Sequence, residues 1–200
     1  MCGIFGYIGN KNAVELVIEG LKRLEYRGYD SAGIAAINGG GKIHNVKCVG
    51  KIAELEHKVN KAPFTSHLCI GHTRWATHGE VTELNSHPHY DTAKNISLVH
   101  NGIIENFTEL KEQLLLEGSM FHSETDTEVI PHLIAKFSKE QSFEKAVLET
   151  MRTLEGSYAF AVISTDHPDQ LLAARKGSPL VVGLGEQKEF YIASDVSAIL

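Results

Sequence analysis

The sequence predicts an α+β domain in which helices cover a stacked pair of mainly antiparallel sheets. Three observations lead there. Segments with strand character open and close the chain, while helical periodicity dominates between them. Several successive strand pairs have short connections, which favours antiparallel pairing, and no repeat or low-complexity linker divides the 200 residues. A chain of this length can build one sizeable core or two small ones.

Residues 2–9, Cys-Gly-Ile-Phe-Gly-Tyr-Ile-Gly, read as a buried strand with small residues where backbones or ligands come close. Val14, Val17, Ile18, Leu21 and Leu24 then recur at helical spacing, and Gly28 supplies a stop. Residues 31–38 and 42–49 flank Gly39-Gly40-Gly41 in the pattern of a hairpin. Residues 52–61 form a short helix closed by Pro63, and residues 67–74 a strand. Residues 75–95 are polar, rich in His, Thr and Asn, and follow neither periodicity. They read as a loop whose length marks it as functional or disordered, with an order that depends on bound substrate.

Residues 96–100 are a strand that ends at Asn101-Gly102. Asn106, with Glu109 three residues on, resembles a helix N-cap ahead of Leu110, Leu114 and Leu115, and Gly118 ends that helix. Thr125-Asp126-Thr127 caps the next helix, whose buried side carries Val129, Ile130, Leu133 and Ile134; another helix covers about 143–154. Four short strands follow at 157–164, 170–174, 180–184 and 190–193. Asp195 reads as the N-cap of a helix barely begun at Leu200, as at the front of a longer protein.

Lys+Arg 19 against Asp+Glu 25 leaves a formal charge of −6 without a basic run, which argues against nucleic acid or an anionic membrane as partner. No apolar stretch approaches the roughly 20 residues of a membrane span. The start lacks the basic and apolar regions of a signal peptide, so a cytoplasmic location is expected. Cys2, Cys48 and Cys69 are odd in number and far apart, which suits a reducing compartment. Cys48 and Cys69 read as passive strand residues.

Cys2 is different because of its position. Loss of Met1 would leave its thiol beside a free α-amine of pKa roughly 7.7–8.0, so one residue would supply nucleophile and base. A chance cysteine at position two is the plainer alternative. Asn101-Gly102 is suited to an oxyanion hole, with a side-chain amide donor and an accessible backbone N–H, although an Asn-Gly pair is also an ordinary turn. Arg74 can clamp a carboxylate in bidentate fashion or simply pair at the surface. Asp126 can hold an ammonium group or cap a helix. Trp75 can act as a lid at the start of the long loop or anchor a core. His72, His78, His87, His89 and His100 invite a metal reading, but their spacing matches no helix-borne or Cys-paired zinc pattern. A metal hydrolase would lose activity to a chelator and ignore Cys2→Ala. A sensor domain would bind its ligand without cleaving it.

Taken together, these segments resemble a known family. The N-terminal Cys-Gly-Ile-Phe-Gly is typical of class II glutamine amidotransferases, which are N-terminal-nucleophile hydrolases. Glu25-Tyr-Arg-Gly-Tyr-Asp-Ser-Ala-Gly33, Gly71-His-Thr-Arg-Trp-Ala-Thr-His-Gly79, His87-Pro-His89, Val99-His-Asn-Gly-Ile-Ile-Glu-Asn106, Glu124-Thr-Asp-Thr-Glu-Val129, Leu172-Ala-Ala-Arg-Lys-Gly-Ser-Pro-Leu180 and Ala193-Ser-Asp195 are similar to the glutaminase domains of glutamine–fructose-6-phosphate aminotransferases. The resemblance covers essentially the whole chain, residues 1–200, as one glutaminase domain.

It implies a four-layer αββα sandwich with Cys2 at the end of a central strand. It also implies hydrolysis of L-glutamine through a γ-glutamyl thioester on Cys2, with Asn101 and Gly102 as the oxyanion hole. Arg74, assisted by Thr77 and His78, would bind the substrate carboxylate, and Asp126 its ammonium group. Arg27 would order the nucleophile's surroundings, His87 would lie on the substrate-side loop, and Trp75 would gate an ammonia channel. No cofactor or metal is implied. The implied partner is a sugar-isomerase domain absent from this chain, which would bind fructose 6-phosphate and receive the ammonia within a homodimeric full-length enzyme.

Overall fold

Alternation within single strands sets the layers. In β1 (Gly3–Ile8) Ile4 and Phe5 are both buried but belong to different cores, because successive side chains leave opposite faces of a strand. The computed structural model describes residues 2–75 and 79–200. After β1 come α1 (Ala13–Leu24), β2 (Ser31–Ile37), β3 (Ile43–Val49), α2 (Ile52–Lys61) and β4 (Leu68–Arg74). Then follow β5 (His89–Tyr90), β6 (Ile96–Ile104), α3 (Phe107–Leu116), α4 (Val129–Phe137) and α5 (Phe143–Thr153). The chain closes with β7 (Gly156–Ser164), β8 (His167–Lys176), β9 (Val181–Leu184) and β10 (Phe190–Ala193).

The first sheet has the order β3-β2-β4-β1-β10-β9 and the second β5-β6-β7-β8. Every pairing among them is antiparallel. Val14, Val17 and Leu21 of α1 and Leu55 of α2 pack with Phe5 and Ile34 on the outer face of the first sheet. Ile4, Ile70, Val99, Ala161 and Ile163 fill the space between the sheets. Leu133 and Ile134 of α4 and Phe143 of α5 cover Leu98, Phe160 and Val162 on the outer face of the second. Three separate cores between helix, sheet, sheet and helix make a four-layer αββα sandwich, as expected. Each fully buried Leu, Ile or Phe contributes about 1.5–3 kcal/mol. Among the described residues, no helix is long and apolar enough to cross a membrane.

Gly3 matters for what precedes it. A Cβ there would lie 2.7 Å from Thr73 Cγ2 and 2.9 Å from Leu24 Cβ, so only glycine lets the start of β1 settle between β4 and α1. Cys2 is thereby held at the head of a central strand.

Several expectations need correction, among them the cap at Thr125-Asp126-Thr127, since neither the 3-10 turn there nor α4 has a side-chain cap. The stretch 75–95 is not all loop, because His89–Tyr90 pairs with Leu98 and Ser97 of β6. Two residues are too few to show a periodicity. The strand expected to stop at His100 runs on to Ile104, paired along its length with β7 from Ile96↔Ser164 to Ile104↔Gly156. Asn101-Gly102 is therefore inside a ladder, where long-range pairing overrides the local turn preference. Asn106 does not cap α3 through its side chain. Its amide instead donates to Thr153 O at 3.0 Å and accepts from Glu155 N at 3.1 Å, tying the start of α3 to the connection between α5 and β7. Asp195 does cap, accepting from Ser197 N, but the helix it begins is a single 3-10 turn, Val196–Ala198.

Candidate active site

Cys2 emerges from β1 where β4 ends, so its side chain meets the backbone of Trp75. The thiol donates to Trp75 O at 3.5 Å, and Trp75 N donates to Cys2 Sγ at 3.3 Å. Burial pushes the Cys2 thiol pKa up, while the Trp75 N–H opposes that shift by stabilising the thiolate. Cys48 and Cys69 are buried in β3 and β4, and burial raises both thiols.

The Cys2 carbonyl is held from two sides. Asn101 Nδ2, from β6 in the second sheet, donates to it at 3.1 Å, and Arg27 Nε donates at 3.2 Å. The other end of the Asn101 amide, Oδ1, lies 3.0 Å from His72 Nε2 on β4. A carbonyl only accepts, so Nδ2 faces Cys2 and Oδ1 faces His72, whose Nε2 must carry the proton. Burial lowers the His72 pKa to about 3, so the ring is neutral at ordinary pH. Gly102 follows with φ +126°, and a Cβ there would overlap the Ser157 carbonyl oxygen and lie 2.8 Å from Tyr158 Cα. Only glycine permits β6 and β7 to lie so close beside the site.

A cleft of about 40 Å³ opens at the thiol, lined by Cys2, Arg74, Trp75, His87, His100, Gly102, Thr125, Asp126 and Thr127. Arg74 is buried and donates to Glu80 O at 3.2 Å. Asp126 Oδ2 accepts from Ile104 N at 2.8 Å, which fixes the carboxylate against the end of β6. His87 Nε2 and His100 Nδ1 both meet the Thr127 hydroxyl, at 3.1 and 2.8 Å. Burial lowers the pKa of both rings, that of His100 to about 4 although Asp126 opposes the shift. His72, His87 and His89 pack ring on ring, with centroids 4.0 and 4.7 Å apart. Among the described residues, no group of three or more His, Cys, Asp or Glu side chains is arranged to hold a metal ion. Trp75 stands at the rim, 46% exposed, with its ring edge-on to Tyr29 at 5.3 Å. A larger open groove of about 610 Å³ beside Lys11, Asn38 and His67 shares none of these residues.

A family model described as a glutamine amidotransferase domain matches residues 72–200, well over half of the chain. This chain belongs to the glutamine amidotransferase domain family. The amidotransferase domain is 52% identical over 200 residues to a glutamine–fructose-6-phosphate aminotransferase (isomerizing) of Clostridium perfringens, covering all of this chain and 32% of that protein. It is 53% identical to the enzyme of that name from Aquifex aeolicus, with 33% of that protein covered. The chain thus spans about a third of the length of the curated relatives it matches. Among solved structures, a glutamine phosphoribosylpyrophosphate amidotransferase from B. subtilis superposes with a TM-score of 0.85 at 31% identity, over 99% of this chain and 43% of that one. A glutamine aminotransferase class-II domain protein from Silicibacter pomeroyi, 17% identical with a TM-score of 0.66, shares the fold.

Of the site residues expected from sequence, Cys2, Arg74, Trp75, His87, Gly102 and Asp126 line one cleft, with Asn101 and Arg27 behind it on the Cys2 carbonyl. Thr77 and His78 lie outside the described residues of the amidotransferase domain. Sequence reasoning missed four groups. Asp195 Oδ2 accepts from Arg27 Nη1 at 2.9 Å and from the Tyr26 hydroxyl at 2.7 Å, joining the far end of the chain to the arginine that holds the Cys2 carbonyl. Thr127 bridges two histidines, and His72 orients Asn101. Glu128 binds the 122–123 backbone beneath the loop that presents Thr125. Short spacing from an expected residue hinted at Thr127, His72 and Glu128 but not at Asp195, and the partners of the first three groups lie 25 or more residues away in sequence.

Proposed function

We propose that this domain hydrolyses L-glutamine to glutamate and ammonia through a γ-glutamyl thioester on Cys2. After removal of Met1, the α-amine of Cys2 takes the thiol proton and the sulfur attacks the side-chain amide carbon of glutamine. Negative charge collects on the former carbonyl oxygen, where Asn101 Nδ2–H and the Gly102 N–H donate. The protonated amine then gives its proton to the departing nitrogen, ammonia leaves, and the thioester remains. Water, deprotonated by the same amine, attacks the thioester and releases glutamate and the free thiol. Arg74, with Thr77 and His78, binds the substrate carboxylate and Asp126 its ammonium group. His87 shapes the wall, Trp75 covers the rim and Arg27 holds the Cys2 carbonyl. Loss of one oxyanion donor should cost about 10²–10³ in rate, near 3 kcal/mol.

In the full-length enzyme the ammonia passes to fructose 6-phosphate, bound by a sugar-isomerase domain that follows residues 1–200, in a cytoplasmic homodimer. The names and lengths of the curated relatives support the larger partner part and fructose 6-phosphate as its substrate. The hydrolytic reading rests above all on a cysteine thiol at the head of a central strand, facing a cleft whose walls include an arginine and a carboxylate. The test is glutamate release from L-glutamine by this chain and by Cys2→Ala, once intact mass establishes loss of Met1. Turnover that vanishes in the variant is expected; equal turnover in both refutes the nucleophile. Turnover by a chain whose N-terminus stays blocked refutes the α-amine as base.

A further inference from the structure

His72 belongs to the first sheet and Asn101 to the second, and their side chains meet between the two, at 3.0 Å from Nε2 to Oδ1. The His72 side chain is fully buried. Its Nδ1 makes no hydrogen bond among the described residues and its ring lies against that of His87, so the polar partners of the side chain are Asn101 and the backbone of His100. The Asn101 amide nitrogen carries two hydrogens. One is directed to Cys2 O, and the other remains for a ligand. With no donor at position 72, Asn101 Oδ1 would be a buried acceptor without a partner, and the amide plane would be held at one end only.

We propose that His72 is a positioning residue for glutamine hydrolysis, whose Nε2–H clamps Asn101 Oδ1 and so aims the second Nδ2–H of Asn101 at the oxyanion that develops on the substrate. This rests on the reading of Asn101 as an oxyanion donor. A neutral ring suits the role, because it places a single proton on the nitrogen that faces Asn101 and adds no charge beside the nucleophile. His72 touches neither substrate nor thiol; its effect is carried through Asn101 alone.

The test is a double-mutant cycle. His72→Met removes the donor, and His72→Gln returns an amide N–H close to the Nε2 position. Each is made in the parent chain and in Asn101→Ala. Glutamate release gives kcat and KM, and alkylation of Cys2 by iodoacetamide gives a reaction at a saturated carbon that develops no oxyanion. His72→Met is expected to lower kcat about 10²-fold with KM little changed and alkylation unaltered. His72→Gln should recover most of the loss, and in Asn101→Ala the His72→Met change should cost nothing further. Where His72→Met does not fold, His72→Asn serves, since its shorter amide sits near the Nδ1 position and does not reach Asn101.

Full kcat in the non-donating variant would overturn the proposal. So would equal losses in His72→Met and His72→Gln, or losses that add to those of Asn101→Ala. Absence of glutamate release from the parent chain, with Cys2 still alkylated, would instead remove the hydrolytic reading itself and this inference with it.

Discussion

Asp195 binds Arg27 at 2.9 Å, across nearly the whole length of the chain, and Arg27 in turn donates to the carbonyl of Cys2. The carboxylate is held ionised at a pKa of about 2, chiefly by the Ser197 backbone N–H and then by the Tyr26 hydroxyl, with Arg27 adding to both. The end of β10 therefore braces the start of β1. Asp195→Asn keeps the shape but removes the charge on which the Arg27 geometry depends. Glutamine turnover should fall about 10- to 100-fold through kcat, the scale of a small misplacement of reacting groups. Steady-state kinetics checks this, and an unchanged kcat would show that Arg27 needs no anchor.

Arg74→Lys should raise KM for glutamine about 10- to 100-fold while leaving the melting temperature close to that of the parent. Lysine keeps the charge but offers no planar fork for a carboxylate, and it is shorter in its reach to Glu80 O. Isothermal titration of glutamine into Cys2→Ala carrying the same change isolates binding from chemistry. An affinity equal to that of Cys2→Ala alone would remove Arg74 from substrate recognition.

Gly102→Ala should destabilise the domain by about 3 kcal/mol or more, because a side chain at φ +126° is strained and would also overlap β7 at Ser157. For a chain of this size that is a fall in Tm of roughly 6–12 °C. Calorimetry reads it directly. A Tm within a degree of the parent would mean that β6 and β7 can separate at that point.

Acid should unfold the protein in two overlapping stages. His72 and His100 have folded pKa values of about 3 and 4 against 6.5 in the free side chain, both lowered by burial. Between pH 6.5 and 4 the unfolded chain takes up protons that the native rings refuse, so their stability contribution is present above pH 6.5 and declines as pH falls. Glu128 adds a second window. Burial alone would raise its carboxyl, but His132 at 3.9 Å, the Ser123 hydroxyl at 2.6 Å and the backbone N–H groups of His122 and Ser123 hold it at about 2. Its contribution is present above its ordinary value of 4.5 and lost as pH falls towards 2. Urea midpoints should drop from pH 6.5 downward, and Glu128→Gln should flatten the part below pH 4.5. Stability that stays constant from pH 7 to 4 would contradict the buried neutral histidines.

The elements were largely legible because their signals are local. The helix at Val14 to Leu24 and the hairpin around Gly39–Gly41 follow from periodicity and turn residues within a dozen positions, and both formed near the expected bounds. β6 failed at Asn101-Gly102 because the local turn preference competes with a partner strand more than fifty residues away. β5 failed because two residues carry no period. The grouping of Cys2, Arg74, Gly102 and Asp126 was legible through motifs. Residues that act by holding those groups, such as Asp195, His72 and Thr127, were not.

By itself the sequence determined the alternation that separates Ile4 from Phe5, the helical faces that cover each sheet, and the family to which the chain belongs. Those properties are written in spacing and residue type, which burial and backbone geometry read locally. Tertiary structure alone decided that the Cys2 thiol rests on the Trp75 backbone, that its carbonyl is shared by Arg27 and Asn101, and that His72 and Asp195 hold those two in place. Hydrogen bonds are short and directional, so such partners exist only where packing of the two sheets has already brought distant segments within about 3 Å.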